Sequence, residues 1–286
     1  MKEKIKQGIK IIFLLSVVLT MVMFWHDQYN YYNHHFDDYY FESEKSCPKE
    51  AKVAVIKIQG GLVTYQKKGD SWHDYEEETK FNNATSSERI IEYIEDAEKR
   101  DHIKTIIIEI DSYGGGAVAS EEIMLAVKRA TKPTKAVIRG GGVSGAYLIA
   151  TGADKIYASE ISDIGGIGVT MSYLDYSQKN KEESIIYQEL SAGKFKDAGD
   201  PDKTLTEEER ELLMRDIEKT HEVFIRRVAE NRNMDIEKVR ELADGSTVMG
   251  ETAKEKGLID EIGDPQELKN IVSLLLNIDP VVCVYR

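Results

Sequence analysis

Short β-branched strands and amphipathic helices alternate along the central part of the chain, and this alternation constrains the fold more than any other feature. The sequence predicts a strand at residues 53–58, a capped helix at residues 87–100 and a buried strand at residues 104–110. A helix at residues 117–130 and a strand at residues 135–139 continue the pattern. Units with this spacing favour an α/β fold built on a mostly parallel sheet with right-handed crossovers.

Further along, the sequence predicts a strand-like run at residues 184–190, a long helix from Thr206 that starts with a Thr206/Glu209 capping box, and a C-terminal helix after residue 264. A polar insertion occupies residues 63–83.

Two glycine clusters, Gly114 to Gly116 and Gly140 to Gly142, follow predicted strands. Ligands bind at the carboxyl ends of strands in parallel sheets, so both clusters indicate where a site would lie. Ser144 follows the second cluster and precedes an apolar helical stretch, which makes it a candidate nucleophile for acyl transfer. The backbone N–H groups of Gly145 and of the first cluster are candidate oxyanion donors. On these residues alone, a serine that merely caps a helix in a tight turn remains an alternative.

A serine nucleophile needs a general base, and the six histidines of the chain offer few candidates. Only His73 lies at a tolerable place in the predicted fold, which disfavours a Ser/His/Asp triad. A lysine serves instead where burial lowers its pKa from about 10.4 toward 7. Lys194 and Lys196 flank Phe195 in a glycine-bounded loop, although the loop by itself is more typical of two solvated lysines.

The N-terminal residues predict a membrane anchor. Residues 1–10 carry four lysines against one glutamate, and residues 11–25 are uncharged and apolar. This order predicts a cytoplasmic basic tail and one transmembrane helix, with the remainder of the chain outside the cytoplasm. A cleavable signal peptide is the alternative, but the apolar segment ends in Met-Phe-Trp where a small-x-small cleavage site would be expected. The chain is therefore predicted to be a single-pass protein of the cell membrane.

Residues 26–50 are polar and rich in tyrosine, so they predict a juxtamembrane linker before a folded domain at residues 51–286. The histidines and aspartates of this linker raise a metal hypothesis, but tyrosines at a membrane surface with solvated neighbours explain them better, and no metal is predicted. A net charge of −13 argues against a nucleic-acid partner. For Cys47 and Cys283, a disulfide and two unpaired thiols are both open.

Several motifs together resemble the signal peptide peptidase A family (peptidase family S49) in its single-half form. The resemblance covers roughly residues 53–265 and rests on the segments DSYGGG, GGGVSGAYLIATGADKIYAS, DIGGIGVTMSY, SAGKFKDAGDP and ADGSTVMGETAKEKGLIDEIGD. It implies a ClpP/crotonase-like superhelix of βαβ units. By the same resemblance Ser144 matches the family nucleophile and Lys196 the general base of a Ser/Lys dyad. Gly115 and Gly145 are then expected to hold the oxyanion.

The chain departs from the family pattern at two positions. Tyr113 stands where the family usually has proline in the oxyanion segment, in which Gly114 is the alternative donor. Gly166 stands where the family has a serine whose hydroxyl helps to position the lysine. Ser162 and Thr170 are the candidates to replace that hydroxyl.

The resemblance implies a membrane-anchored serine endopeptidase that degrades hydrophobic peptides such as cleaved signal peptides. It also implies a homo-oligomer in which serine and lysine meet across subunit interfaces, and it calls for neither a metal nor another cofactor. Two alternatives remain open. One is a catalytically weak, membrane-anchored oligomeric scaffold that binds peptides, and the other is a related membrane serine peptidase with one narrow target, for example a stomatin-like protein.

Overall fold

The computed structural model describes residues 45–65, 84–263 and 282–285. The predicted cytoplasmic tail, the transmembrane helix and most of the linker lie outside these residues, as do most of the insertion at residues 63–83 and the C-terminal helix predicted after residue 264. Within the part of the chain that is described, no helix is both long enough and apolar enough to cross a bilayer.

The described strands form a nine-stranded sheet and a two-stranded sheet. In chain order they are β1 (Lys45–Ser46), β2 (Val53–Gln59), β3 (Leu62–Val63), β4 (Thr85–Ser86), β5 (Thr105–Ser112), β6 (Thr134–Val143), β7 (Lys155–Ala158), β8 (Asp163–Gly165), β9 (Thr247–Met249), β10 (Glu261–Ile262) and β11 (Val282–Tyr285). The large sheet runs β1-β11-β2-β5-β6-β7-β10, with β8 beside β6 and β9 beside β8, and β3 pairs with β4. The central strands β2, β5, β6 and β7 are parallel, as predicted.

The helices of the described chain cover the sheet and complete its crossovers. They are α1 (Ser87–Lys99), α2 (Ala117–Arg129), α3 (Gly145–Thr151), α4 (Ser177–Glu182), α5 (Glu207–Arg232), α6 (Ile236–Leu242) and α7 (Gly250–Glu255). Because α1, α2 and α3 each lie between successive parallel strands, the architecture is mixed α/β with a parallel-rich sheet. This confirms the fold class that the alternation of strands and helices predicted.

Side chains of the central strand β5 enter two different layers. Ile106, Ile108 and Ile110 lie in the main core, with buried residues of the helices, whereas Ile107 lies in a smaller cluster with Val137. Both faces of the strand are therefore buried, which explains its continuous apolar run. Burying one side chain of this size contributes about 1.5–3 kcal/mol, so this strand fixes the centre of the sheet.

A disulfide joins Cys47 to Cys283, with an S–S distance of 2.14 Å. It lies beside the antiparallel pairing of β1 with β11, and β11 is also paired in parallel with β2. The bond therefore ties both ends of the described chain to one edge of the sheet. Of the two alternatives that the sequence left open, the structure has the disulfide.

Two local predictions differ from the structure. The strand-like run at residues 184–190 is not a strand, and Ile185 and Ile186 are 54% and 77% exposed because no described strand pairs with them. Gly140 to Gly142 lie inside β6 and not beyond its end. The strand continues through these glycines because β8 pairs with its last three residues.

Candidate active site

Ser144 occupies the turn between β6 and α3. Its φ of 55° and ψ of −126° lie in a region that residues other than glycine seldom adopt. The Ser144 N–H donates to the Gly165 carbonyl at 2.7 Å, and the Ser144 carbonyl accepts from the Leu148 N–H at 3.0 Å. The serine side chain makes no capping hydrogen bond to α3. A helix-capping role therefore does not explain this serine, and its hydroxyl is available to a ligand.

Close packing requires glycine on both sides of this turn. A Cβ on Gly114 would lie 2.9 Å from the Gly145 nitrogen and 3.0 Å from the Ser144 Cβ. A Cβ on Gly145 would lie 2.1 Å from Oγ of Ser120 on α2. The loop after β5 thus packs directly against the serine turn, so the structure brings the two predicted glycine clusters together.

Two backbone N–H groups beside Ser144 are free to bind an anionic oxygen. The Gly114 N–H donates to Oγ of Ser112 at 3.1 Å and is therefore occupied. No hydrogen bond to a described residue is found for the N–H of Gly115 or of Gly145. This difference favours Gly115 over Gly114 as the donor from the loop after β5.

Ser144 opens into a cleft of about 750 Å³, a size typical of sites for small molecules and short peptide segments. Gly115 and Gly145 line the cleft beside the serine, and Val118 and Leu148 add apolar surface. One face of α5 also lines the cleft and is called the α5 wall below; it is formed by Lys219, Thr220, Val223, Phe224 and Arg227. The cleft is therefore mostly apolar, with backbone donors at the serine and charged side chains on the α5 wall.

A long connection of residues 166–206, called the arm below, joins β8 to α5. Val169 and Thr170 at its start line the cleft. Beyond them most of the arm is exposed, including large apolar side chains such as Leu174 and Leu190, which are 68% and 95% exposed. The arm therefore touches the site at its start and then leaves it.

Lys196 lies in a series of turns near the end of the arm, and its side chain is exposed. It is not among the residues that line the cleft. The structure brings together Ser144, Gly115 and Gly145, whereas the predicted lysine is not among the residues of their cleft.

Polar contacts fix the turns around this lysine. Asp197 accepts a hydrogen bond from the hydroxyl of Tyr187 at 3.0 Å, and hydrogen bonds from Ser191 and Tyr187 lower the pKa of the Asp197 carboxyl. Lys194 forms an exposed ion pair with Glu208 at 2.8 Å. The two lysines of the loop thus have different surroundings, and Lys194 is already paired.

The hydroxyl groups near Gly166 differ in whether they are already hydrogen-bonded. Ser162 is buried, and its hydroxyl donates to the Arg139 carbonyl, so it is occupied within the sheet. Thr170 lines the cleft. Sequence reasoning missed Thr247, whose Cγ2 would lie 3.6 Å from a Cβ built on Gly166. The Thr170 hydroxyl shares a hydrogen bond of 3.0 Å with the Ser172 hydroxyl, so of these three only the Thr247 hydroxyl has no hydrogen bond to a described residue.

Sequence reasoning also missed the charged residues of the cleft. Nη2 of Arg227 lies 2.9 Å from Oε1 of Glu121, which joins α5 to α2 across the cleft wall. The long helix was predicted, but the side that faces the serine is set by the burial of Phe224 and Val228 in the core. Among the described residues, no cluster of His, Cys, Asp and Glu suits a metal ion.

Comparison with known proteins identifies the family. The family model of Peptidase family S49 matches residues 126–279, more than half of the 286-residue chain. A predicted protease of Methanocaldococcus jannaschii is 35% identical over 68% of this chain and 64% of its own length. A predicted signal peptide peptidase of Enterococcus faecium is 35% identical over 56% of this chain and 48% of its own length. The chloroplast serine protease SPPA of Arabidopsis thaliana is 30% identical over 63% of this chain and 27% of its own length.

The aligned part of the chain thus spans 64% and 48% of the length of the first two relatives. The motifs and the family model agree on the same assignment, so the family predicted from the sequence is confirmed. The chain belongs to peptidase family S49, a family of serine peptidases.

Proposed function

We propose that this protein is a serine endopeptidase in which Ser144 is the nucleophile. The observation that carries the proposal is the turn at Ser144, where a hydroxyl outside any cap hydrogen bond lies in a cleft beside two unoccupied backbone N–H groups. Strained backbone of this kind persists where the surrounding structure holds it, and it is concentrated at functional sites. The turn presents the hydroxyl, and the glycines let the loop after β5 approach it.

In the proposed reaction, Oγ of Ser144 attacks the carbonyl carbon of a peptide bond. A general base accepts the hydroxyl proton and returns it to the leaving amine. The N–H groups of Gly115 and Gly145 donate to the oxygen of the tetrahedral intermediate, and each such donor contributes roughly 2.7–4 kcal/mol in serine peptidases. Water then releases the acyl group from the serine. No step calls for a metal or another cofactor.

We assign the base to Lys196 of a neighbouring protomer, as the family resemblance implies. The exposed position of this lysine, outside the cleft of its own protomer, supports an arrangement between subunits. A lysine acts as a base near neutral pH when its pKa falls well below about 10.4, and burial in an apolar interface has this effect. The apolar side chains of the arm would supply such an interface.

The substrates that suit this site are hydrophobic peptides, including signal-peptide remnants left in the membrane. The apolar side chains of Val118, Leu148, Val223 and Phe224 in the cleft support this class. The parallel-rich sheet with its crossover helices fits a ClpP/crotonase-like superhelix of βαβ units.

The proposed placement is a single-pass protein of the cell membrane, with residues 11–25 as the anchor and residues 51–286 as an extracytoplasmic peptidase domain. The Cys47–Cys283 disulfide supports it, because structural disulfides persist mainly in oxidising compartments. Residues 1–10 and 26–50 then form the cytoplasmic tail and the juxtamembrane linker.

The test is hydrolysis of a fluorogenic hydrophobic peptide by the full-length protein in detergent. Ser144→Ala and Lys196→Ala are expected to lower kcat by at least about a thousandfold, since loss of either member of a catalytic pair removes nearly all of its effect. Lys194→Ala is the matched control, because this lysine is two residues away and already paired with Glu208.

Each outcome of this test has a distinct meaning. Loss of activity in the first two variants with retention in the control supports the dyad. A wild-type protein as inactive as its variants would favour the peptide-binding scaffold. Cleavage of one protein target, without cleavage of generic hydrophobic peptides, would favour the narrow peptidase.

A further inference from the structure

The α5 wall of the cleft carries Lys219, an exposed side chain that forms no ion pair with a described residue. Arg227 is compensated, since Glu121 lies 2.9 Å and Glu230 lies 3.4 Å from its guanidinium nitrogens. No carboxylate of a described residue lies within ion-pair distance of Lys219. Asp216, less than one turn earlier on α5, is paired with Arg215 at 2.8 Å. The hydrogen bond from Arg215 and, more weakly, the charge of Lys219 lower the pKa of the Asp216 carboxyl, so Asp216 attracts Lys219 without pairing with it.

Lys219 is placed by the helix on the same face as the apolar wall. Lys219, Val223 and Arg227 follow one another at intervals of four residues, which puts them on one side of α5 over about 12 Å. Ser144 lies on another wall of the same cleft. A peptide held in the cleft for attack by Ser144 would therefore run past this helix face.

We propose that Lys219 recognises a carboxylate of the bound peptide and so determines part of the specificity of the cleft. The inference rests on the proposed function, because it requires that the cleft binds peptides. A bound peptide would remove water from the ammonium group, and a neutral peptide would leave that charge unpaired against an apolar wall. A carboxylate at this place would form a charge-assisted hydrogen bond with it.

The carboxylate has two possible sources in a peptide, an acidic side chain and the free C-terminus. Matched fluorogenic peptides separate them. One series replaces a single residue by Glu, Gln or Lys at successive positions, and the other compares a free C-terminus with its amide. Wild-type protein, Lys219→Met and Lys219→Glu are compared on both series, with Arg226→Met as control. Arg226 is on the same helix and more than half exposed, but it does not line the cleft.

For the wild type we expect kcat/KM to be roughly 1.5-fold to fivefold higher for the peptide with the carboxylate, the range for an exposed ion pair. Lys219→Met should lose this preference, Lys219→Glu should favour the lysine peptide, and Arg226→Met should behave like the wild type. A wild type without a preference, or a preference kept by Lys219→Met, would overturn the inference. Loss of all cleavage in Lys219→Met would also overturn it, since this lysine would then take part in the reaction itself.

A binding measurement separates this inference from the proposed function. The Ser144→Ala protein and its Lys219→Met derivative are titrated with the same peptides, and fluorescence anisotropy reports the affinity. A carboxylate preference that depends on Lys219, in a protein whose wild type cleaves nothing, would support the inference and reject the peptidase. Cleavage that depends on Ser144, without a carboxylate preference in either assay, would do the reverse.

Discussion

At the scale of single residues, Val143 fills the space that a side chain at position 166 would need. A Cβ built on Gly166 would lie 2.5 Å from Cγ1 of Val143 and 3.3 Å from the backbone nitrogen of Ser144. The backbone of Gly166 also has a φ of 60°, which favours glycine. Val143 therefore occupies the space that the family's serine side chain would need at position 166. This contact lies directly beside the proposed nucleophile.

This arrangement predicts coupling between the two positions. Gly166→Ser alone is expected to lower the free energy of unfolding by about 2–4 kcal/mol, from overpacking against Val143 and from the positive φ. Val143→Ala alone should cost about 1 kcal/mol. The double variant should be more stable than the sum of these losses predicts, by about 1 kcal/mol or more, because the alanine removes the clash. Urea unfolding of the four proteins measures the coupling, and strictly additive losses would contradict it.

The positions that the sequence predicted best are those that depend on local geometry. Ser144 and Gly145 are neighbours in the chain, and glycine spacing was enough to place them at a strand-to-helix turn. The link between Val143 and Gly166 could not be predicted, because it depends on how β6 and β8 approach each other in space. The sequence likewise gives no sign that Lys219 faces the cleft, since this follows from which side of α5 is buried.

At the scale of secondary-structure elements, the start of α5 is joined to the end of the arm by a buried carboxylate. Glu209 is 4% exposed and forms a capping box with Thr206, as the sequence predicted. Nζ of Lys203 lies 2.8 Å from Oε1 of Glu209. The hydrogen bond from Lys203, followed by those from Thr206, lowers the pKa of Glu209 from 4.5 to about 2. The ionised carboxylate thus holds the last residues of the arm against α5.

The lowered pKa of Glu209 predicts that the contact between the end of the arm and the start of α5 weakens in acid. A group whose pKa is lower in the folded protein contributes its full stabilisation above its unfolded value, here 4.5, and loses it as the pH falls toward about 2. The protection factors for hydrogen exchange at the start of α5, which are corrected for the intrinsic exchange rate at each pH, should therefore fall over this window. Glu209→Gln should have faster exchange already at neutral pH and a flatter pH dependence. Glu211→Gln is the control on the same turn, and equal pH profiles for Glu209→Gln and the wild type would contradict the assignment.

The elements themselves were largely predictable where periodicity and caps agree. The strands and helices of the parallel core, and the long helix after Thr206, lie where the sequence places them. The arm was misread at residues 184–190, since a β-branched run forms a strand only when another strand pairs with it. Ile185 and Ile186 are exposed because no described strand pairs with this run.

At the scale of the whole molecule, the arm leaves an apolar surface uncovered in one protomer. Its most exposed large apolar side chains are Met171, Leu174, Ile185, Ile186 and Leu190, each more than half exposed. Soluble monomers seldom expose so many on one segment, and such surfaces mark sites of association. A second copy that covers the arm would also bury the turns that carry Lys196. Assembly and completion of the catalytic pair would then be the same event.

This arrangement predicts that two inactive variants restore each other. Ser144→Ala supplies the lysine, Lys196→Ala supplies the serine, and a ring of like interfaces joins the serine of one protomer to the lysine of the next. Coexpressed in equal amounts, the two should recover about one quarter of the wild-type activity, since one interface in four has both groups intact under random assembly. Hydrolysis of the fluorogenic peptide by the purified mixed oligomer is the measurement.

The matched control is coexpression of Ser144→Ala with the Ser144→Ala/Lys196→Ala double variant, which has the same assembly but no serine at any interface. It should stay inactive. If the first mixture also stays inactive while native mass spectrometry shows that the two chains have mixed within the oligomer, the serine and its base belong to one protomer. The arm would then have to bring Lys196 into the cleft of its own chain, and the apolar surface of the arm would have a different partner.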